Sequence, residues 1–175
     1  MTDVKIVFTG TPGAGKTTAI AALSERPPVV TDVRNTDATL AKERTTVGLD
    51  FGQFDLGDGQ TVRLFGTPGQ LRFEFMWRIL AADALGLVIL VDNSRPDPLG
   101  DLATCADAYR DLLPGMNCVV GVGRTLECPV PTIDDFSDLM AARGHAFPVL
   151  PVDVRERADV LMLVEAVLAQ AEVRA

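Results

Sequence analysis

Residues 10–17 read GTPGAGKT, a glycine-rich stretch that ends in a lysine and a hydroxyl side chain. The pattern G-x-x-x-x-G-K-[ST] is suited to holding phosphate. Gly10, Gly13 and Gly15 let the backbone bend around Thr11, Pro12 and Ala14 so that loop N–H groups converge on an anion, at a helix N-terminus whose dipole favours negative charge. Lys16 brings a point charge to the terminal phosphates. Thr17 offers a hydroxyl to Mg²⁺, a hard cation that takes oxygen ligands and retained waters, and Thr18, next on the first helical turn, is a further candidate contact to the nucleotide. A glycine-rich turn without function would need none of these residue types in this order.

The elements that must position the loop are legible on either side of it. VKIVFT (4–9) is a short apolar run, and KTTAIAALSER (16–26) is helical until Pro27 and Pro28 stop it. Strand, loop and helix is the context in which the motif binds phosphate. Residues 29–46 carry no sustained period and read as a long loop, which in a compact domain is usually functional. LDFGQFDL and TVRLF then flank GDGQ, whose Asp58-Gly59 pair suits a hairpin turn. ALGLVILVD (84–92), NCVVGVG (117–123) and FPVLPVD (147–153) have the texture of strands covered on both faces. Helices are expected over 99–113, over 132–144 with Thr132 as N-cap, Asp135 at the box position and Gly144 as the stop, and over 158–170. On that last helix Val160, Leu161, Val164, Val167 and Leu168 form the apolar stripe. The alternation implies an α/β fold: a six-stranded, mostly parallel sheet with one antiparallel edge strand and helices on both faces.

At 175 residues and 47% apolar, the chain suits one globular domain over 1–175. Its net charge of −8 and three lysines argue against nucleic acid as a main partner, because neutralising phosphates needs clustered basic residues. Cys105, Cys118 and Cys128 lack metal-ligand spacing and read as reduced thiols of a cytoplasmic protein. No secretory leader, membrane-length apolar run or lipidation motif is expected, hence no direct membrane anchor.

The phosphate loop alone leaves ATPases, nucleotide kinases and GTPases open; the residues that follow separate them. TTVGLDF (45–51) opens the hairpin and GTPGQLRF (66–73) follows its second strand. In that order the chain resembles the Ras-like small GTPases, and most nearly their prokaryotic branch, the gliding-motility (MglA-type) and conservon-type P-loop GTPases. The resemblance implies a GTP/GDP-dependent switch that hydrolyses GTP slowly with Mg²⁺ and meets Roadblock/LC7-type regulators. It implies that Thr46, with Thr17, ligates Mg²⁺, that Gly69 offers its N–H to the γ-phosphate, and that Gln70 orients the attacking water beside Lys16. Loss of the γ-phosphate would release both switch segments.

The chain departs from that family in three places. Gly66 stands where the family carries a metal-side aspartate; Asp92, at the end of a flanking strand, is the candidate substitute. The guanine-reading N-K-x-D stretch is replaced by GVGRTLEC (121–128), where Arg124 and Thr125 would flank the base and Glu127 falls one residue beyond the simplest alignment. VDVR (152–155), with Asp153 and Val154, lies at the third base loop. Pro12 crowds the route of a partner's arginine to the γ-phosphate, which makes Arg44, beside Lys42 and Glu43, a candidate arginine supplied from within. A second expectation is a degenerate scaffold that signals by occupancy without efficient hydrolysis; an ATP-using enzyme is the third. LRFEFMWRIL (71–80) is apolar on more than one face, part core and part candidate partner surface. His145, after Gly144, reads as structural.

Overall fold

Two strand textures organise the chain: apolar runs that need cover on both faces, and the amphipathic hairpin. The structure, a computed structural model, describes residues 3–27, 29–34, 46–57 and 59–175. Its elements run β1 (Asp3–Gly10), α1 (Lys16–Leu23), β2 (Val29–Arg34), β3 (Thr46–Gly57), β4 (Gln60–Gly66), α2 (Glu74–Ala81), β5 (Gly86–Asp92), α3 (Pro98–Ala108), β6 (Asn117–Gly123), α4 (Ile133–Ala142), β7 (Val149–Pro151) and α5 (Arg157–Arg174). The strands form one seven-stranded sheet in the order β2-β3-β4-β1-β5-β6-β7. All but β3 run in the same direction.

Side-chain alternation through the buried strands divides the core in two, because successive residues point to opposite faces. Ile6 and Phe8 of β1, Val88 and Leu90 of β5 and Val119 of β6 face α1 and α5, which contribute Ala19, Ile20, Leu23, Val160, Leu163, Val164 and Val167. Val7, Leu87, Ile89, Val91, Val120 and Val122 face the other way, onto Trp77 of α2, Leu102 and Tyr109 at α3, and Phe136 and Met140 of α4. The stripe of α5 is centred one position from the expected one: Leu163 is fully buried while Leu161 and Leu168 sit at its margin. Helix α4 carries the expected capping box between Thr132 and Asp135, and Gly144 ends it at φ 81°. The His145 ring stacks on Phe147. Burial pushes the Cys105 thiol up to about 12 and raises that of Cys118 as well, so both are inert packing.

The six expected strands are all present, and β2 is added to them. Residues 29–34, read from sequence as loop, pair antiparallel with the first half of β3, from Val29 opposite Phe51 to Arg34 opposite Thr46. The second half of β3, from Asp50 onward, pairs β4 on its other edge. The β-branched run Val29, Val30, Thr31 and Val33 favours extended backbone, but an edge strand needs no alternating pattern, which is why periodicity did not show it. Asp58, expected in the hairpin turn, lies outside the described residues; the turn closes with Gly57 opposite Gln60.

Candidate functional site

The parallel strands β1, β5, β6 and β7 all end on one edge of the sheet, where open α/β folds place their ligands. The phosphate loop leaves β1 there. Gly15 caps α1 in the left-handed region at φ 98°, a conformation costly for any residue with a Cβ, and a Cβ there would also lie 2.8 Å from Val154 Cγ2. No side chain caps α1. The first N–H groups of such a helix have no partner within the helix itself, and an anion can accept from them. Lys16 is 7% exposed and turns its Nζ back across the loop, donating to the carbonyls of Gly10 and Thr11 at 2.8 Å each. Burial lowers its pKa to about 8, against smaller opposing contributions from Cys105 and Asp50.

The segment 66–70 comes to rest against this loop. A Cβ on Gly69 would lie 2.8 Å from Pro12 Cα and N and 3.2 Å from Lys16 Nζ, so the absence of a side chain is what permits the approach. Gln70 follows, exposed, at the start of a short 3-10 turn, Leu71–Phe73. A buried set of hydrogen bonds fixes the near end of the segment. Thr67 donates from its N–H to Phe8 O at 2.9 Å and from its hydroxyl to Thr9 Oγ1 at 3.0 Å, and Tyr109 donates to the same Thr9 oxygen at 2.9 Å. Trp77 stacks on Tyr109 with ring centroids 6.1 Å apart and donates its indole N–H to Pro68 O. Sequence reasoning assigned Trp77 to a mixed apolar helix and missed this anchoring; its only local sign is that a buried indole N–H must find an acceptor.

On the metal side the candidate Asp92 is engaged by its neighbours: its Oδ1 accepts from Ser94 N at 2.9 Å and Ser94 Oγ at 2.6 Å and faces Arg124 Nε at 3.4 Å. The carboxylate near Thr17 is Asp50, whose Oδ2 accepts the Thr17 hydroxyl. Two hard oxygen donors side by side at a phosphate loop fit Mg²⁺, which completes its shell with phosphate and water. Among the described residues no three His, Cys, Asp or Glu side chains gather as a self-sufficient metal site. Thr46 begins β3, and its side chain lies outside the described residues, as does the whole of Arg44.

The residues expected at the base lie at the ends of β6 and β7. Val154 touches the phosphate loop at Gly15, and Val152 N donates to Val122 O at 3.0 Å, which sets 124–125 and 153–154 next to each other. Arg124 is exposed with φ 60°, and Thr125 is half-buried behind it. Asp153 is engaged on both oxygens by its near neighbour Arg155, from Nε at 2.9 Å and Nη2 at 2.6 Å, and this partner holds its carboxyl near 2, well below the usual range. Asn93, a residue sequence reasoning did not single out, ties the loop down: its amide donates to the carbonyls of Cys128 at 2.5 Å and Pro131 at 2.9 Å.

A phosphate loop after β1, an antiparallel β3–β4 pair and a parallel sheet continuing through β5, β6 and β7 with helices on both faces define the small G-protein fold, a P-loop α/β domain. Solved structures agree with this. The Arl6 BBS3 small GTPase from Trypanosoma brucei, with a bound nucleotide analogue GppNp, superposes with a TM-score of 0.71 at 16% identity, over 99% of this chain and 100% of that one. The G domain of the T. maritima FeoB iron transporter gives 0.67 at 18% identity, over 97% and 99%. No protein-family profile matches the chain. Among curated proteins, the uncharacterized MJ1339 of Methanocaldococcus jannaschii is 29% identical over 93 residues, 53% of either chain, so the match spans about half the length of that relative.

Proposed function

We propose that the protein is a Ras-like GTPase of the prokaryotic type, a GTP/GDP-dependent switch that requires Mg²⁺ and hydrolyses GTP slowly. The observation that carries this reading is the contact of Gly69 with Pro12 and Lys16, because it brings the segment bearing Gln70 to the loop built for phosphate. In this reading the α1 N-terminus and Lys16 hold the phosphates, Gly69 offers its N–H to the γ-phosphate, and Gln70 orients water. Phosphoryl transfer asks mainly for such positioning and charge stabilisation. Thr17 and Thr46 hold the cation, whose chemistry is to neutralise charge on the phosphate oxygens. Arg124, Thr125, Asp153 and Val154 surround the base. The exposed residues Phe75 and Ile79, one turn apart on α2, and Leu71 on the 3-10 turn before it support a partner surface here, for which the resemblance suggests a Roadblock/LC7-type regulator.

A second reading, signalling by occupancy without efficient turnover, is favoured by Asp153, whose carboxylate is already engaged by Arg155 instead of free for a guanine edge. Calorimetry with GTP, GDP and ATP, with and without Mg²⁺, separates the two when phosphate release is followed in the same samples. Guanine-selective binding with release that Gln70→Ala suppresses supports the GTPase. Binding without release, with or without selectivity for guanine, supports occupancy signalling, and binding of none of the three nucleotides rejects both readings.

The buried Lys16 adds a pH signature. With its pKa at about 8 instead of 10.5, the native protein loses this proton before the unfolded chain does, so folding stability rises with pH between those values. Bound phosphate would favour the charged form again. Near pH 8, binding is therefore expected to take up roughly half a proton per nucleotide. Binding heats at pH 8 should depend on the ionisation enthalpy of the buffer, and the uptake assigned to Lys16 should fade as pH drops toward 7, below which the terminal phosphate, with its own pKa of about 6, dominates the proton exchange. Buffer-independent heats at pH 8 would contradict the assignment of Lys16 to the phosphates.

A further inference from the structure

Gly66 leaves a gap where a carboxylate would help to hold a cation, and the sheet register shows what fills it. Asp50 on β3 and Gly66 on β4 are direct cross-strand partners. Residues opposite each other in an antiparallel pair project to the same face, with Cβ atoms within about 4.5–5.5 Å. A Cβ built on Gly66 would stand 3.0 Å from Asp50 Cβ, 3.2 Å from Asp50 Oδ2 and 3.0 Å from Ile20 Cδ1. The absent side chain of Gly66 is thus the room that the Asp50 side chain uses. From there the Asp50 carboxylate reaches the Thr17 hydroxyl on the first turn of α1.

We propose that Asp50 is the carboxylate that holds the divalent cation at the phosphate loop, supplied from β3 in place of one on β4. The proposal rests on the reading that this loop binds nucleotide together with a divalent cation. The geometry disfavours a second carboxylate. An aspartate at position 66 would crowd the Asp50 side chain at 3.0–3.2 Å and bring two like charges together, so a carboxylate on β3 stands in for one on β4. Asp50 also orients Thr17: by accepting the hydroxyl proton it turns the oxygen lone pairs of Thr17 outward, as partners of metal-binding groups do. Asp92, the other candidate on this edge, is engaged by Ser94 and Arg124.

Without a cation, an Asp50 carboxylate beside the phosphate loop repels phosphate; with one, it attracts the cation that bridges them. The two effects have opposite signs, and a structural role for Asp50 would produce neither. The test uses Asp50→Asn, whose amide oxygen still accepts from Thr17 and keeps the fold, and Asp83→Asn as a control at an exposed ion pair with Lys5. Mn²⁺ binding to the GDP-loaded protein is read from the free-Mn²⁺ electron paramagnetic resonance signal, and GDP affinity is measured in EDTA. Asp50→Asn should weaken Mn²⁺ by about 10 to 100-fold, leave GDP affinity in EDTA equal or higher, and keep the thermal midpoint. In the double variant Asp50→Gly, Gly66→Asp, the carboxylate is moved back to β4 into the room that the side chain of residue 50 has left, and Mn²⁺ affinity should recover in part. The proposal is overturned if Asp50→Asn binds Mn²⁺ as the unaltered protein does, or if it loses GDP affinity equally with and without metal. An unaltered protein that binds GDP identically in Mn²⁺ and EDTA overturns it while leaving the nucleotide reading standing. Failure of that protein to bind GDP or ATP at all overturns both.

Discussion

Trp77→Ala is expected to lower the unfolding free energy by about 3–5 kcal/mol, the range for truncating a large buried aromatic, and to lower the melting temperature by about 6–20 °C for a domain of this size. Trp77 is 1% exposed, the largest side chain fully enclosed in the core between the sheet, α2 and α3. Alanine would leave a cavity under α2, remove the stack on Tyr109 and free the carbonyl of Pro68. The loss is not confined to packing. Pro68 lies between Thr67, which is bonded to β1, and Gly69, which touches the phosphate loop, so the indole N–H is the far anchor of the segment that carries Gln70. Trp77→Phe keeps most of the ring and gives up the hydrogen bond, and should cost about 1–3 kcal/mol. Urea denaturation followed by circular dichroism measures both, since fluorescence would lose its only tryptophan. Limited proteolysis should then cut Trp77→Phe faster within 66–73 while the rest of the chain stays protected. A phenylalanine variant with unaltered stability and cleavage would show that the indole N–H anchors nothing.

The contrast between what sequence gave away and what it hid follows from the range over which each feature is encoded. The phosphate loop is local: three glycines, a lysine and a threonine within eight positions, between an apolar run and a helix, and the structure places them as read. Thr132 and Asp135 are equally local, and their capping box is present. Buried strands announce themselves by continuous apolar runs, which is why β1, β5 and β6 were legible. Asp50 was not, although its sequence neighbourhood had been singled out, because its role depends on standing opposite Gly66 in a register that no local pattern records. The same reasoning misdirected the search to Asp92, where a strand-end position suggested a metal-side carboxylate; the nearby Ser94 and Arg124 engage it instead. Asn93 holds carbonyls 35 and 38 residues away, a tie with no signature short of the fold. At the end of β7 Arg155 had no assigned role, yet it is the group that engages Asp153, a candidate for the base under the proposed reading.

Gly69→Ala is expected to slow single-turnover phosphate release by about 100-fold, the scale of a displacement of roughly 1 Å at reacting groups, while leaving GDP affinity near that of the unaltered protein. The new methyl would come within 2.8 Å of Pro12 Cα and N, both backbone atoms of a loop whose lysine is itself bonded to Gly10 and Thr11. Neither side yields easily. Pro12 has a fixed φ, and the other end of the segment is held by Thr67 to Phe8 and Thr9. The strain is therefore relieved by swinging residues 69–70 away from the loop, which withdraws both the Gly69 N–H and the Gln70 amide from the terminal phosphate. If, as proposed, that segment faces the end of the nucleotide that GDP lacks, GDP binding should hardly register the change, whereas a GTP analogue should lose affinity. If Gly69 and Gln70 act as one unit, the double variant Gly69→Ala, Gln70→Ala will be no slower than the slower single one, because groups that work together are not additive when removed. Multiplying effects would instead mean that Gly69 serves only to let the segment approach, with Gln70 acting independently of it. A Gly69→Ala protein that releases phosphate at the unaltered rate would show that the close packing of 66–70 on the phosphate loop is not the arrangement in which hydrolysis occurs.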